Sequence, residues 1–217
     1  MKPHILFDLD GTLTDPVEGI TNSGRYALKM LGRPPLSQKE LESFIGPPLN
    51  ENFLAFFPDM PESEVEQAIT LFREYFSEKG FWENEIYPGI AQLLATLCQN
   101  GASLHLATSK PLLFAQRVLD RFSLAQYFSI VEGSPMAHGG LQKADVIAAV
   151  LAQGGFSPAD AVMVGDRKHD VLGAKQHAIA TVGVLFGYGS REELVTADAD
   201  CLAADMAELE NILLHFS

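Results

Sequence analysis

A chain of 217 residues, 47% of them hydrophobic, has room for one good-sized domain or a domain with a smaller insert, and its apolar content excludes a disordered protein. A net charge of −13 argues against nucleic acid polymers and anionic membranes as partners, so an anionic ligand would need a local positive field from a metal, a lysine or helix N-termini. The two cysteines, Cys98 and Cys201, stand far apart in apolar surroundings and read as buried, reduced and structural, and with no membrane-length apolar run and no signal peptide ahead of the first strand, the expected location is the cytoplasm.

The chain opens with Ile5-Leu6-Phe7, an apolar run that suits a strand buried on both faces, followed by Asp8-Leu9-Asp10-Gly11-Thr12. Residues 16 to about 84 then read as helices only. Val17, Ile20, Ala27, Leu28 and Leu31 recur at helical spacing, with Asp15-Pro16 as the start and Pro16 at the first helical position. Ser37-Gln38-Lys39-Glu40 offers a capping box for a second helix, Asn50 to Phe57 gives a third, and Glu62 to Lys79 a fourth. Their aromatic residues (Phe53, Phe56, Phe57, Phe72, Tyr75, Phe76) read as bundle core rather than as a cofactor box.

From Tyr87-Pro88-Gly89 the pattern alternates. Strands are predicted at Ser103–Ala107, Ser129–Glu132, Ala161–Gly165, Thr181–Leu185 and Asp200–Ala203. Helices are predicted at Ile90–Gln99, Leu112–Arg121, Lys143–Gln153, Val171–His177 and Met206–His215. The expected fold class is therefore α/β: a Rossmann-like parallel sheet with helices on both faces, plus an inserted four-helix cap. The expected division is a core of residues 1–15 and 85–217 and a cap of residues 16–84.

In open parallel sheets ligands bind beyond the carboxyl ends of the strands, so the residues at those ends form one group. Asp8 and Asp10, at i and i+2, leave the first strand on the same side. Paired carboxylates raise each other's pKa unless a cation lies between them, so the pair reads as a divalent-metal site. The plainer reading, an Asp10-Gly11 hairpin turn, would need an alternating strand after it. The second strand ends in Thr108-Ser109-Lys110-Pro111, an anion site of hydroxyls and free backbone amides, or simply a Ser/Thr helix cap. Lys143 opens a helix after Gly139-Gly140, where a lysine is most often just solvated. Gly165-Asp166-Arg167-Lys168-His169-Asp170 adds two acids, or a solvated acidic loop. Zinc is not expected: the six histidines (His4, His105, His138, His169, His177, His215) show no paired-ligand spacing, and His169 reads as solvated.

Taken together, Phe7-Asp8-Leu9-Asp10-Gly11-Thr12-Leu13, Thr108, Lys143 and Gly165-Asp166…Asp170 resemble, in order, the four motifs of the haloacid dehalogenase superfamily. Gly46-Pro47-Pro48-Leu49, Ala107-Thr108-Ser109-Lys110-Pro111 and Gly187-Tyr188-Gly189-Ser190 resemble its phosphoglycolate phosphatase and bacterial 5'-nucleotidase branch. The resemblance implies a Mg²⁺-dependent phosphatase acting on a small phosphorylated metabolite. In that scheme Asp8 is the nucleophile that forms an aspartyl-phosphate, and Asp10 is the general acid and base. Mg²⁺ is held by Asp8, Asp10 (through its backbone carbonyl) and Asp166. Thr108, Ser109 and Lys143 bind phosphate, Asp170 supports Lys143 or a metal-bound water, and Gly46 and Pro47 form a substrate-facing cap loop. The substrates implied are a nucleoside 5'-monophosphate or 2-phosphoglycolate. Alternatives of similar architecture are a phosphosugar mutase of the same superfamily and a phospho-acceptor receiver-type switch. Oligomeric state is left open.

Overall fold

The computed structural model describes residues 1–136 and 141–216; Gly139, Gly140 and His138 of the sequence reading lie outside them. The chain begins with β1 (His4–Phe7), whose alternate residues serve two cores. Ile5 and Phe7 join the larger apolar cluster on one face of the sheet, and Leu6 joins the smaller one on the other. After the Asp8–Thr12 turn comes β2 (Thr14–Asp15), then α1 (Val17–Met30), α2 (Gln38–Glu42), α3 (Leu49–Phe56) and α4 (Glu62–Tyr75). The chain returns through β3 (Glu85–Ile86), which pairs antiparallel with β2. That two-stranded ribbon, absent from the sequence reading, is where the chain leaves and re-enters the sheet region. It is too short to carry a readable period of two.

Beyond it follow α5 (Ile90–Gln99), β4 (Ser103–Pro111), α6 (Leu112–Arg121), β5 (Phe128–Ser134), α7 (Lys143–Gly154), β6 (Ala161–Gly165), α8 (Lys168–Lys175), β7 (Ala180–Val184), α9 (Arg191–Thr196), β8 (Cys201–Ala203) and α10 (Met206–His215). Among the described residues the main sheet is six-stranded, in the order β5-β4-β1-β6-β7-β8, and parallel throughout. The sheet thus has helices on both faces, as the alternation predicts. Because β4 and β6 flank β1 on opposite sides, the crevice where the winding reverses opens above the end of β1.

Several boundaries differ from the sequence reading for identifiable reasons. Pro16 is the N-cap of α1 rather than its first helical residue, and Asp15 Oδ1 accepts from the Val17 amide at 3.0 Å. Strand β4 runs on to Pro111, with its pairing to β5 slipping between Thr108 and Pro111, so Pro111 is again an N-cap. The fourth helix does not continue regularly to Lys79. Phe76–Gly80 widens into a π-turn, closed by Phe81 N–H donating to Phe76 O at 2.7 Å. There Gly19 and Gly80 let two helical segments meet so closely that a Cβ on Gly19 would lie 2.1 Å from the Gly80 carbonyl oxygen. Helix α8 begins three residues early because the Asp170 carboxylate caps its start. Helix α9 was not anticipated; Ser190 caps it by accepting from the Glu193 amide. Cys98 and Cys201 are free thiols but half-buried rather than buried.

Candidate active site

The turn after β1 exists because Gly11 adopts φ +82°, a conformation that L side chains rarely take. The Leu9 carbonyl then collects the amides of Thr12, Leu13 and Thr14, and the turn closes on itself. Glycine is required for a second reason: a Cβ at position 11 would lie 2.3 Å from Asp166 Oδ2. A Cβ on Gly187 would lie 2.6 Å from the same Oδ2, and one on Gly189 would lie 1.8 Å from the Asp166 backbone carbonyl oxygen. The carboxylate is therefore enclosed in a glycine cradle, with Oδ2 accepting from the Tyr188 amide at 2.8 Å. Its Oδ1 is buried and has no hydrogen-bond partner.

Side-chain oxygens of Asp8, Asp166 and Asp170 all lie within 4.8 Å of one another, and all three residues are buried. Among the described residues, Lys143 is the cation that pairs with two of them. Lys143 Nζ, at the first position of α7, is 2.8 Å from Asp8 Oδ1, 2.8 Å from Asp170 Oδ1, and donates to the Ala107 carbonyl at 2.9 Å. Burial alone would lower the Lys143 pKa, but Asp170 and Asp8 outweigh it and raise it, so the ammonium stays charged. Burial raises the Asp166 pKa strongly, with Asp170 and Asp8 adding to it. Burial likewise pushes Asp170 up to about 6, against the pull of Lys143 and with the help of Asp8. Three clustered carboxylates facing one ammonium, with an orphaned buried oxygen, suit a hard divalent cation that takes oxygen ligands. The residues present fit Mg²⁺.

Asp10 lies apart from this cluster. Its Oδ2 accepts from Lys110 Nζ at 2.7 Å, and the same ammonium sits 4.6 Å from the Phe76 ring centre. Burial nevertheless raises the Asp10 pKa, Lys110 opposing it. Thr108 is buried at the end of β4, and its Oγ1 accepts from the Lys110 amide at 3.2 Å. That amide is therefore engaged rather than free for an anion, while the Thr108 hydroxyl proton remains available to donate. Ser109 is half-buried beside it. His169 is half-buried, with its pKa lowered chiefly by burial and then by Arg167.

These residues form the floor of one pocket: Asp8, Asp10, Thr108, Ser109 and Lys110. Gly46 and Pro47 line it from the helical insert, facing the floor, together with Phe72, Arg73 and Phe76. The phenylalanines of α4 and its π-turn thus serve both as core and as pocket wall. Sequence reasoning did not single out Arg73. The available signal was a basic residue four positions after Ile69, inside the apolar stripe of its helix. Nor did it find Arg167 as a strap to the helical insert: Nε donates to Glu193 Oε1 and Nη1 to the Ile45 carbonyl, at 2.9 and 2.6 Å. The Tyr188 hydroxyl bonds to Asp15 at the ribbon, a pairing of residues remote in sequence.

The family model described as haloacid dehalogenase-like hydrolase matches residues 5–184. A protein named 5'-nucleotidase from Pseudomonas aeruginosa is 39% identical over 211 residues, covering 97% of this chain and 95% of that one. A protein named tyrosine-protein kinase PtkA from Mycobacterium tuberculosis is 38% identical over 208 residues, covering 96% of this chain and 70% of that one. Among solved structures, a predicted phosphatase from Clostridium acetobutylicum superposes with a TM-score of 0.95 at 39% identity, over 100% of both chains. No helix of the described residues is long and apolar enough to cross a membrane. The chain belongs to the haloacid dehalogenase-like hydrolases, and within them it is a phosphatase.

Proposed function

We propose that the protein is a Mg²⁺-dependent phosphomonoesterase acting on a small phosphorylated metabolite, with a nucleoside 5'-monophosphate favoured over 2-phosphoglycolate. The observation that carries this reading is the triad of buried carboxylates, Asp8, Asp166 and Asp170, of which Lys143 pairs with Asp8 and Asp170 and no ion pair among the described residues reaches Asp166. Uncompensated buried charge is costly, so the arrangement calls for a divalent cation at Asp8 and Asp166, joined by the Asp10 backbone carbonyl. Bound there, Mg²⁺ would neutralise the approach of an anionic ester and polarise its phosphoryl group.

The chain's own residues supply the rest. An Asp8 carboxylate oxygen attacks phosphorus, the ester P–O bond breaks, and the leaving oxygen takes a proton from Asp10, whose raised pKa favours the protonated form. Asp10, now a carboxylate held by Lys110, then accepts a proton from water as that water attacks the phosphorus of the aspartyl-phosphate. Phosphate departs and Asp8 is regenerated. Thr108 and Lys143 hold the phosphoryl oxygens during both steps, Ser109 adds a hydroxyl, and Asp170 keeps Lys143 in place.

Residues 16–84 would act as a cap over a core of residues 1–15 and 85–217, turning on the β2–β3 ribbon. Among the described residues, hydrogen bonds that tie the two together in this conformation include Arg167 to the Ile45 carbonyl, Gln142 to Glu51, Arg73 to the Met136 carbonyl, and Arg121 to the Phe81 and Trp82 carbonyls. Gly46 and Pro47 would meet the substrate as the cap closes. Free thiols and a metabolite substrate agree with a cytoplasmic setting.

The test is phosphate release from 2-phosphoglycolate and a panel of nucleoside 5'-monophosphates, with Mg²⁺, with EDTA, and in Asp8→Asn. Metal-dependent release that disappears in the variant is expected. Release that survives Asp8→Asn would sink the aspartyl-phosphate mechanism. Consumption of substrate without free phosphate would point instead to a mutase, or to phosphoryl transfer onto an acceptor of the kind the kinase-named relative suggests.

A further inference from the structure

Arg73 lines the pocket from α4, yet its charge is not neutralised there. Among the described residues it forms no ion pair; its Nη1 donates to the Met136 carbonyl at 2.7 Å, and its Nε is buried with no partner. A guanidinium carries five N–H donors and no acceptor, and the bond to Met136 uses one of them, so Arg73 brings unused donors to the pocket wall. Around it the wall is aromatic: Phe44, Phe72, Phe76 and Phe114 all face the same chamber, with Asp8 and Asp10 at its floor. Phe76 and Phe114 meet edge to face, 5.2 Å between ring centres, which fixes a rigid apolar surface beside the reacting groups.

We propose that Arg73 is the specificity-determining residue of this pocket, and that it reads a base carbonyl of a nucleoside leaving group whose flat ring lies against the phenylalanine wall. The inference rests on the phosphomonoesterase reading of the same site and adds its leaving-group recognition. A flat body with hydrogen-bond acceptors along one edge is what a nucleobase presents. The two-carbon leaving group of 2-phosphoglycolate would leave the aromatic faces unfilled. A pocket built to donate a hydrogen bond discriminates strongly against an analogue without the acceptor, because the buried donor is then stranded.

The experiment compares uridine 5'-monophosphate, ribose 5-phosphate and 2-phosphoglycolate as substrates, all with Mg²⁺, for the parent protein, Arg73→Met and Arg73→Lys. Methionine keeps an apolar stem on the helix, and ribose 5-phosphate keeps every group except the base. Arg73→Met is expected to lower kcat/KM for uridine 5'-monophosphate about 10- to 100-fold, chiefly through KM, and at least about 10-fold more than it lowers kcat/KM for ribose 5-phosphate, which shares only the loss of the Arg73–Met136 tie. Arg73→Lys should recover part of the loss. In an Asp8→Asn background, which cannot turn over, uridine 5'-monophosphate binding by calorimetry should weaken in parallel. Equal losses on the nucleotide and on ribose 5-phosphate would make Arg73 a cap-closing residue and overturn the proposal. So would no loss at all, or a parent that prefers 2-phosphoglycolate. In those cases the phosphatase reading stands. No release from any of the three esters would remove both together.

Discussion

The same two strands bury titratable groups at both of their ends, by opposite means. At the amino-terminal edge, His4 of β1 and His105 of β4 lie with their ring nitrogens 3.1 Å apart, both stacked on Phe156, with ring centres 3.9 and 4.9 Å away. Among the described residues no carboxylate is paired with His105, and burial, then His4, lowers its pKa to about 4, so it is kept neutral. About one strand length away, β1 delivers Asp8 and β4 delivers Thr108, and charges are packed against charges. Yet burial pushes Asp166 and Asp170 toward their neutral forms too. Lys143 compensates only part of the cluster. The contrast teaches that one edge is held uncharged, even though His105 Nδ1 has no hydrogen-bond partner, while the other gathers more buried carboxylates than its lysine pairs with.

The sharpest way to break the comparison is Asp8→Asn. At the carboxylate edge it removes the proposed nucleophile, and activity should fall at least about 10³-fold. Stability should not fall with it: in EDTA, one less negative charge in a cluster of three acids leaves the melting temperature unchanged or higher. A fall in both would mean that Asp8 serves the fold as much as the chemistry. Thermal melts beside the phosphate assay decide the matter.

Lys143→Met attacks the compensation itself. It strands Asp8 and Asp170 in a buried site, and at pH 8 in EDTA the loss should be about 3–5 kcal/mol, read by urea denaturation. Saturating Mg²⁺ should restore part of that stability, since binding to the folded state stabilises it by mass action. If Mg²⁺ leaves the variant's midpoint unmoved, the carboxylates are not a metal site.

How much of this was legible in the sequence follows the range over which each feature is determined. Asp8 and Asp10 were readable because i and i+2 on a strand share a side, and Thr108, Lys143, Asp166 and Asp170 because ends of parallel strands share an edge. The glycine cradle was not: that Gly187 and Gly189 close on Asp166 depends on β6 and β7 being neighbours, which no local pattern specifies. The pairing of Lys110 with Asp10 spans 100 residues, and the π-turn at Phe76 answers a glycine contact with α1. Arg73 carried a weak signal, a cation in an apolar stripe, easily taken for a residue at the stripe's margin.

The two edges also predict opposite responses to pH across one window. His105 has a folded value of about 4, below its usual 6.5, so its contribution is complete above pH 6.5. As pH falls from 6.5 toward 4 the unfolded chain takes up a proton that the folded chain refuses, and stability drops by up to about 3 kcal/mol. Asp170 has a folded value of about 6, above its usual 3.8, so without metal the folded chain holds the extra proton. Its contribution is therefore present at low pH and lost as pH rises from about 4 to 6. In EDTA the carboxylate slope, to which the raised Asp166 and Asp10 add in the same direction, opposes the histidine slope, so stability should not rise from pH 4 to 6.5. With Mg²⁺ the carboxylate slope disappears, and stability should rise steadily from pH 4 to 6.5. His105→Phe should flatten that rise; a profile identical in EDTA and Mg²⁺ would contradict the assignment.

The smallest effect is the one that calibrates the others. Lys175 and Asp198 form an ion pair at the surface, with side chains 32% and 88% exposed, while Lys143 and Asp8 form one at 3% and 5%. Both are a lysine beside an aspartate, so their difference isolates what burial does to a charge pair. In water the Coulomb attraction at contact is about 1 kcal/mol, and ordering two mobile side chains consumes most of it. Lys175→Ala should therefore move the melting temperature by less than about 2 °C and leave turnover unchanged. A larger shift would mean that charge pairs of this acidic chain contribute to stability wherever they occur. The strong effect expected at Lys143 would then say nothing specific about the active site. A negligible shift at Lys175 beside a large one at Lys143 ties the latter to its burial between two carboxylates, and so to the edge that gathers them.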